Sequence, residues 1–163
     1  MVSKDRLFPK NLMEEHDKLM EMLESEENGK TNLKIWPRYL ELSKYTYNDK
    51  KYIIYPAISS EAMKEEGRHQ TNCVGYMYLD SYAKGKTEIY FIRKIKNPTK
   101  SFITLEYKDK SVVQKELPNH EKNFKQEHLD FIDKWLNYRV FIDKKLKYQA
   151  PKIAKYNIEK LFA

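Results

Sequence analysis

The chain has 163 residues, a length that suits one domain and leaves little room for a second. With 40% apolar and 34% charged residues it can form a core under a heavily solvated exterior, and its 13 Tyr, 7 Phe and 2 Trp argue against disorder. No apolar run is long enough to cross a membrane or to form a signal peptide, and one cysteine cannot make an internal disulfide. We therefore expect a cytoplasmic protein without a membrane partner.

Basic residues outnumber acidic ones by 31 to 24, which gives a net charge of +7. A positive charge of this size favours an anionic partner, and nucleic acid is the commonest one for a protein of this kind. The alternative is that the abundant lysines only keep the surface soluble. The charge therefore nominates nucleic acid as a partner.

The first 45 residues predict a helical part. Apolar residues from Asn11 to Leu23 recur at helical spacing, and the polar run Glu24 to Lys30 reads as the loop that ends this helix. Leu33 to Lys44 predicts a short second helix, which Pro37 restricts at its start. We thus expect two helices separated by a loop.

Residues 46–120 predict a β-rich core that begins with a hairpin. Two runs rich in β-formers, Tyr45 to Tyr47 and Lys51 to Tyr55, flank the turn residues Asn48-Asp49. The polar cap and helix formers of Ser59 to Gly67 predict a short helix that ends at the glycine, and Tyr76 to Ala83 predicts another helical segment.

Three further strands predict an antiparallel meander. They are Glu88 to Ile95, Lys100 to Tyr107 and Ser111 to Leu117, and Asp109-Lys110 forms the hairpin turn between the last two. Alternating apolar residues give the meander one apolar face, which needs a cover.

Residues 121–163 predict C-terminal helices that supply this cover. A helical stripe that includes Trp135 runs from Lys125 to Leu146, and Pro151 separates it from a weaker helical tail. The whole sequence, 1–163, thus predicts a single α+β domain: a small antiparallel meander with an additional hairpin, packed against N-terminal and long C-terminal helices.

Polar and reactive side chains are concentrated between Glu65 and Gly75. Glu66, His69, Asn72 and Cys73 fall within eight residues between helix formers and glycine, which suits a tight junction that presents polar groups to a cleft. The alternative is a buried structural cysteine beside a helix cap, since free cysteine is among the most buried residue types.

This stretch opens a longer pattern that resembles the PcfJ-like family. The pattern is strongest between Glu66 and Gln114, with Phe8 to Leu12 similar to the family's opening helix and Phe131 and Trp135 similar to its closing helix. Its central motifs are Glu66-Gly67, Asn72-Cys73-Val74-Gly75, Tyr78 or Tyr82, Gly85, Ile89 to Arg93, Pro98, Thr104-Leu105-Glu106 and Gln114.

The resemblance implies a protein carried by plasmids, phages or other mobile elements, and it implies no settled reaction. Two positions depart from the family pattern. Asn72 stands where many members have histidine, and a later motif of glutamine, glycine and asparagine survives only as Gln114 and Asn119. Both departures weaken a catalytic interpretation of Cys73.

Polar residues on the three meander strands can extend the same site. Short turns make these strands neighbours, so Arg93, Thr104, Glu106 and Gln114 can share one face if the register allows it. The candidate catalytic residues are then Glu66, His69, Cys73 and Glu106, and the candidate binding residues include Asn72, Arg93, Thr104 and Gln114. The alternative is a ladder of surface charges with little individual effect.

Other motifs of cofactor and metal sites are missing from the sequence. Four glycines provide neither a phosphate loop nor a dinucleotide-binding motif, and the four histidines have no close cysteine partner. We therefore expect no cofactor and no structural metal.

Three functions follow as hypotheses. The first is a nucleic-acid-associated accessory protein of a mobile element, in which Lys144, Lys145 and Lys147 contact phosphates. The second is an enzyme with a polar cleft around Glu66, Cys73 and Glu106. The third is a phage or plasmid effector that binds and inhibits a host protein. The sequence favours no particular oligomeric state.

Overall fold

An antiparallel sheet of five strands in the order β1-β2-β3-β4-β5 forms the centre of the computed structural model. The structure describes the backbone of residues 12–161 and the side chains of residues 17–147. The hairpin and the meander expected from the sequence join in this one sheet. The strands are β1 Tyr47–Asn48, β2 Tyr52–Pro56, β3 Glu88–Lys94, β4 Ile103–Lys108 and β5 Ser111–Glu116.

The register of the strands sorts their side chains between two faces. Ile89 pairs with Glu106, and Glu106 pairs with Gln114. Because Arg93 lies four residues after Ile89 on β3, it points to the same face as Glu106 and Gln114. The opposite face carries Tyr90 and its alternating neighbours.

The long C-terminal helix α5, Gln126–Leu161, covers the face that carries Tyr90. Trp135 is fully buried there, its ring centroid lies 4.7 Å from that of Tyr90, and its Nε1 donates to the Tyr45 carbonyl at 2.8 Å. The predicted packing of this helix on the meander, and with it the α+β fold, is confirmed.

The expected separation of α5 from the tail is wrong, because the helix continues through Pro151 to Leu161. Proline removes one hydrogen bond of the helix, and the turns on either side retain theirs. The side chains of the tail lie outside the described residues.

Helices α2, Ser60–Gln70, and α3, Val74–Met77, lie on the other face of the sheet. Gly67 does not end α2 as expected, since the helix continues to Gln70 and the left-handed Thr71 follows it. Gly75 lets α3 approach α2 closely, because a Cβ at this position would lie 2.4 Å from the Lys64 Cα atom. The helical segment expected from Tyr76 to Ala83 is split between α3 and α4, Leu79–Ala83.

A single helix α1, Leu12–Leu42, replaces the two helices expected at the N-terminus. The expected loop is helical because Asn28 is buried, where its Oδ1 accepts from the Ser60 hydroxyl at 3.0 Å and from the Lys64 ammonium at 2.8 Å. Burial of Ile35 and Leu42 around Pro37 offsets the missing proline donor. Residues 1–11, which include most of the Phe8 to Leu12 motif, lie outside the described part.

Short 3-10 turns at Ser43–Tyr45 and Pro118–His120 complete the fold. No helix of the described residues is long and apolar enough to cross a membrane.

Candidate functional site

Glu66 lies at the centre of a buried hydrogen-bond network between α2 and the sheet. Its side chain is 1% exposed and forms a two-point ion pair with Arg93, at 3.2 Å and 2.5 Å. The hydroxyls of Ser101 and Thr104 each donate to it at 2.7 Å, and the Gln70 amide donates at 3.4 Å. With both oxygens occupied, Glu66 holds α2 against β3 and β4 and is poorly placed to act as a free base.

A cleft of about 290 Å³, called here the Cys73 cleft, opens beside this network between α3 and the sheet. Thr104 belongs to both, because its hydroxyl binds Glu66 and its side chain forms part of the cleft wall. The lining residues are Asn72, Cys73, Val74, Met77, Tyr78, Ile89, Thr104, Glu106, Gln114, Glu116 and His120.

The start of α3 presents Cys73 to the cleft. The Asn72 Oδ1 accepts from the Val74 N–H at 3.1 Å, and the Cys73 carbonyl accepts from the N–H groups of Tyr76 and Met77. These three bonds fix the backbone of the motif, whereas the Cys73 side chain is exposed. The alternative of a buried structural cysteine is therefore wrong.

Acceptor groups on β4 and β5 form the opposite wall of the cleft. Glu106 Oε1 accepts from the Thr87 hydroxyl at 2.7 Å, and Gln114 Oε1 accepts from the Tyr78 hydroxyl at 3.2 Å. Burial, followed by the negative charge of Glu106, raises the pKa of Tyr78, so its hydroxyl stays protonated and donates. The Gln114 amide in turn donates to Glu116.

Three non-glycine residues near the cleft adopt left-handed backbone angles. Thr71, directly before Asn72, has φ 55°, while Asn119 and the cleft residue His120 both have φ 57°. Such conformations cost of order 1 to 3 kcal/mol each and concentrate at functional sites. One of them, His120, lines the Cys73 cleft, and Thr71 directly precedes the lining residue Asn72, which supports the selection of this cleft as the candidate site.

The structure brings only part of the expected site together. Asn72, Cys73, Thr104, Glu106 and Gln114 line one cleft.

Other candidates point elsewhere. His69 is exposed beside Glu65, with the Nε2 atom 3.5 Å from the carboxylate, and it is absent from the lining of the Cys73 cleft. Arg93 and Glu66 lie behind the Thr104 wall in their own network. Among the histidines whose side chains the structure describes, His120 is the one that lines the Cys73 cleft.

Sequence reasoning did not select Ser101, Glu116 or His120 as site residues. Glu116 was within reach of the pattern, because it lies two residues after Gln114 on β5 and so points to the same face. His120 is the last residue of a 3-10 turn whose left-handed backbone angles no periodicity indicates.

The three lysines expected to contact phosphates lie on α5, apart from the Cys73 cleft. Lys144, Lys145 and Lys147 are exposed, and within the described part of the chain none of them has a hydrogen bond or an ion pair. They are free to meet an external anion.

No group of three or more histidine, cysteine, aspartate or glutamate side chains that could hold a metal occurs among the described residues. The thiol, carboxylates and amides of the Cys73 cleft suit a ligand that donates N–H groups, or attack by the thiol on a bound electrophile.

Together these features define an α+β domain whose five-stranded antiparallel sheet carries a long helix on one face and a cysteine-bearing helix pair on the other. The model of the PcfJ-like protein family matches residues 1–132, so the chain belongs to the PcfJ-like family, as the motifs suggested.

An uncharacterized protein of Listeria innocua is 26% identical to this chain over 113 residues, a segment that covers 69% of the chain. The chain corresponds to only 25% of the length of that relative. No solved structure matches the chain.

Proposed function

We propose that this chain is a nucleic-acid-associated module of a protein carried by a plasmid, a phage or another mobile element. The observation that carries the proposal is the group of Lys144, Lys145 and Lys147 on α5, which is exposed and has no partner among the described residues, in a chain with net charge +7. Membership of the PcfJ-like family is consistent with a plasmid-associated protein.

Lysines in this state suit contact with a phosphate backbone. An ammonium without a carboxylate partner loses no ion pair when it meets a phosphate, and the release of counterions from the nucleic acid drives the association. Lys144 and Lys147 are three residues apart and so share one side of α5. Binding of this kind depends strongly on salt and weakly on sequence.

Fluorescence anisotropy of a labelled single-stranded oligothymidine tests the proposal over a range of salt concentrations. We expect the triple variant Lys144→Gln, Lys145→Gln, Lys147→Gln to lower the slope of log K against log salt by about 2, since each phosphate contact to a single strand contributes about 0.7. The matched control replaces Lys96, Lys100 and Lys122, which are exposed and make no ion pair in the described part of the chain. Absence of binding by the unchanged protein at low salt contradicts the proposal.

A second candidate function is thiol chemistry in the Cys73 cleft. It is favoured by one observation: the exposed thiol of Cys73 shares a cleft with Glu106, Gln114 and His120. A thiol becomes a good nucleophile when a neighbouring group stabilises the thiolate, and an imidazole is a common neighbour for that role.

The rate of Cys73 alkylation by iodoacetamide tests this candidate. If the cleft activates the thiol, the folded protein reacts faster at neutral pH than the urea-unfolded protein, and His120→Gln removes the difference. His69→Gln is the matched control, because His69 lies outside the cleft. Equal rates for folded and unfolded protein contradict activation.

Replacement of Cys73 by alanine separates chemistry from packing. Because the side chain is exposed, we expect Cys73→Ala to change the free energy of unfolding by less than about 0.5 kcal/mol. Any function that is lost in this folded variant is then a function of the thiol. A loss of stability of several kcal/mol, measured by urea unfolding, contradicts the exposed placement.

A further inference from the structure

A second cleft, called here the basic cleft, lies at the end of the sheet where β3 begins and β4 ends. Its volume is about 310 Å³. The turn that precedes β3 reaches it through Gly85, whose φ of +72° is the left-handed angle that glycine adopts without strain. Its lining residues are Arg38, Gly85, Lys86, Thr87, Glu88, Tyr107, Lys108, Asp109, Lys110, Arg139 and Asp143.

The floor of the basic cleft carries a buried arginine that is ion-paired with Glu88. The Arg139 guanidinium is 5% exposed and lies between the rings of Tyr45 and Tyr107, with its Cζ atom 3.8 Å from both ring centroids. Such stacking holds the group in one orientation. The Nε donors of Arg139 and of Arg38 are buried without an acceptor among the described residues, so both favour a nearby negative charge.

Two of the three carboxylates that line the cleft, Glu88 and Asp143, are engaged by the protein, and the third, Asp109, is exposed between Lys108 and Lys110 in the chain. Glu88 accepts from Arg139 at 2.6 Å and from the Tyr90 hydroxyl at 2.6 Å, and Asp143 accepts from the Tyr45 hydroxyl. The five basic residues of the lining outnumber its three carboxylates, so the cleft keeps a net positive charge.

Three lysines at the rim have no such partner. Lys86, Lys108 and Lys110 are exposed, and in the described part of the chain they form neither a hydrogen bond through the side chain nor an ion pair. A bound anion would thus meet three free ammonium groups above a buried guanidinium, which is a favourable arrangement for phosphate.

The tip of the β4–β5 hairpin carries a lysine where the backbone favours glycine. Asp109 and Lys110 have φ 51° and 63°, the angles of a two-residue turn in which the second position is usually glycine. A lysine there costs about 1 kcal/mol relative to glycine, and in return it adds a cation to the cleft rim.

We infer that the basic cleft is a phosphate-binding site for the backbone of a single-stranded nucleic acid. The inference rests on the proposed function and gives it a defined site. Arg139 and Asp143 line the cleft from α5, and Lys147 follows Asp143 by one turn of the same helix. The nucleic-acid backbone therefore runs from the cleft along α5 toward the lysines of the proposed function.

The test compares three triple variants that each remove three positive charges. The cleft variant carries Lys86→Gln, Lys108→Gln and Lys110→Gln, while the α5 variant and the control variant are those described above. Each protein is titrated into labelled oligothymidine at constant salt, and its thermal midpoint verifies that it is folded. We expect the cleft variant to bind about tenfold more weakly than the control variant, since three phosphate contacts are lost.

The outcomes separate the cleft from the function. Suppose that the unchanged protein binds and that the cleft variant and the control variant weaken binding equally. This result overturns the cleft assignment and leaves the proposed function standing. No binding by the unchanged protein overturns both. Inorganic phosphate added at matched ionic strength identifies the source of the anion. Displacement no greater than that by chloride supports a nucleic-acid backbone, and strong displacement lost in the cleft variant shows a site for free phosphate and overturns the backbone assignment.

Discussion

Two buried arginine–carboxylate pairs lie on opposite faces of the same sheet, and their surroundings differ. On the α5 face, Arg139 binds Glu88 among the rings of Tyr45, Tyr90 and Tyr107. On the α2 face, Arg93 binds Glu66. Hydroxyl groups of Ser101 and Thr104 surround this second pair.

The difference shows how one kind of ion pair serves two purposes. Aromatic rings enclose Arg139 on several sides, so the pair there is mainly part of the core. The hydroxyls around Glu66 are short and polar, and Thr104 continues from the network into the wall of the Cys73 cleft. Packing thus dominates around Arg139, even where it forms the floor of the basic cleft, whereas the polar network around Glu66 positions a wall of the Cys73 cleft.

The largest effect is expected where the aromatic face is broken. Trp135→Ala should lower the free energy of unfolding by about 3 to 5 kcal/mol, because the indole is fully buried and donates to the Tyr45 carbonyl. Urea unfolding measures this change. An unchanged midpoint would show that α5 does not pack on the sheet in this way.

Removal of Glu66 should rank next. Glu66→Ala leaves the buried Arg93 guanidinium without its carboxylate, which typically costs about 3 kcal/mol or more. A cost near the lower limit of about 3 kcal/mol is expected, because Arg93 also borders a further cleft next to Tyr55, separate from the Cys73 cleft and the basic cleft, from which water can approach it. Glu106→Gln is the matched control and should cost less than about 1 kcal/mol, since Glu106 is half-buried and accepts one hydroxyl.

Equal losses for these two variants would contradict the division between the network and the cleft. Urea unfolding of both proteins in parallel makes the comparison, and their slopes with denaturant verify that the unfolded states are alike.

The smallest expected effect is the dependence of stability on pH through His128, which packs beside the aromatic face. Burial lowers the pKa of His128 below its usual 6.5, while the charge of Glu127 opposes the shift and those of Lys125 and Lys94 add to it. The His128 Nδ1 also accepts from the Lys125 N–H at 3.2 Å, which requires a neutral ring.

The folded protein therefore takes up a proton at His128 less readily than the unfolded protein. Stability that is present above about pH 6.5 should fall as the pH drops through the window between the unfolded and the lowered folded pKa. His128→Gln should reduce the change in thermal midpoint between pH 7 and pH 5, two values on either side of the ordinary histidine pKa. An identical pH profile for both proteins would exclude this role.

Much of the fold could be predicted because its pattern is local. The alternation on β4 and the helical stripe around Trp135 each indicate a face directly from spacing. The continuity of α1 could not be predicted, since Asn28 is held in a helix by contacts with Ser60 and Lys64, more than thirty residues away. These tertiary contacts outweigh the local turn propensity of the segment Glu24 to Lys30.

The candidate site divides in the same way. Glu106 and Gln114 could be placed on neighbouring strands because the turn at Asp109-Lys110 is short, but they share a face only because the register shifts between Glu106 and Tyr107. His69 was chosen for its nearness in sequence to Cys73, but the rotation of α2 turns it outward beside Glu65. His120 reaches the cleft through left-handed backbone angles that could not be predicted from the sequence.

Gly75 limits which amino-acid substitutions the protein can tolerate at the start of α3. A methyl group there would collide with the backbone of α2, so α3 would have to move and take the only thiol of the chain with it. Alanine is usually the mildest replacement for a glycine in a helix, because it favours helix formation. Here the mildest replacement meets backbone rather than a flexible side chain. The position of the Cys73 thiol thus depends on residue 75 having no side chain beyond a hydrogen atom.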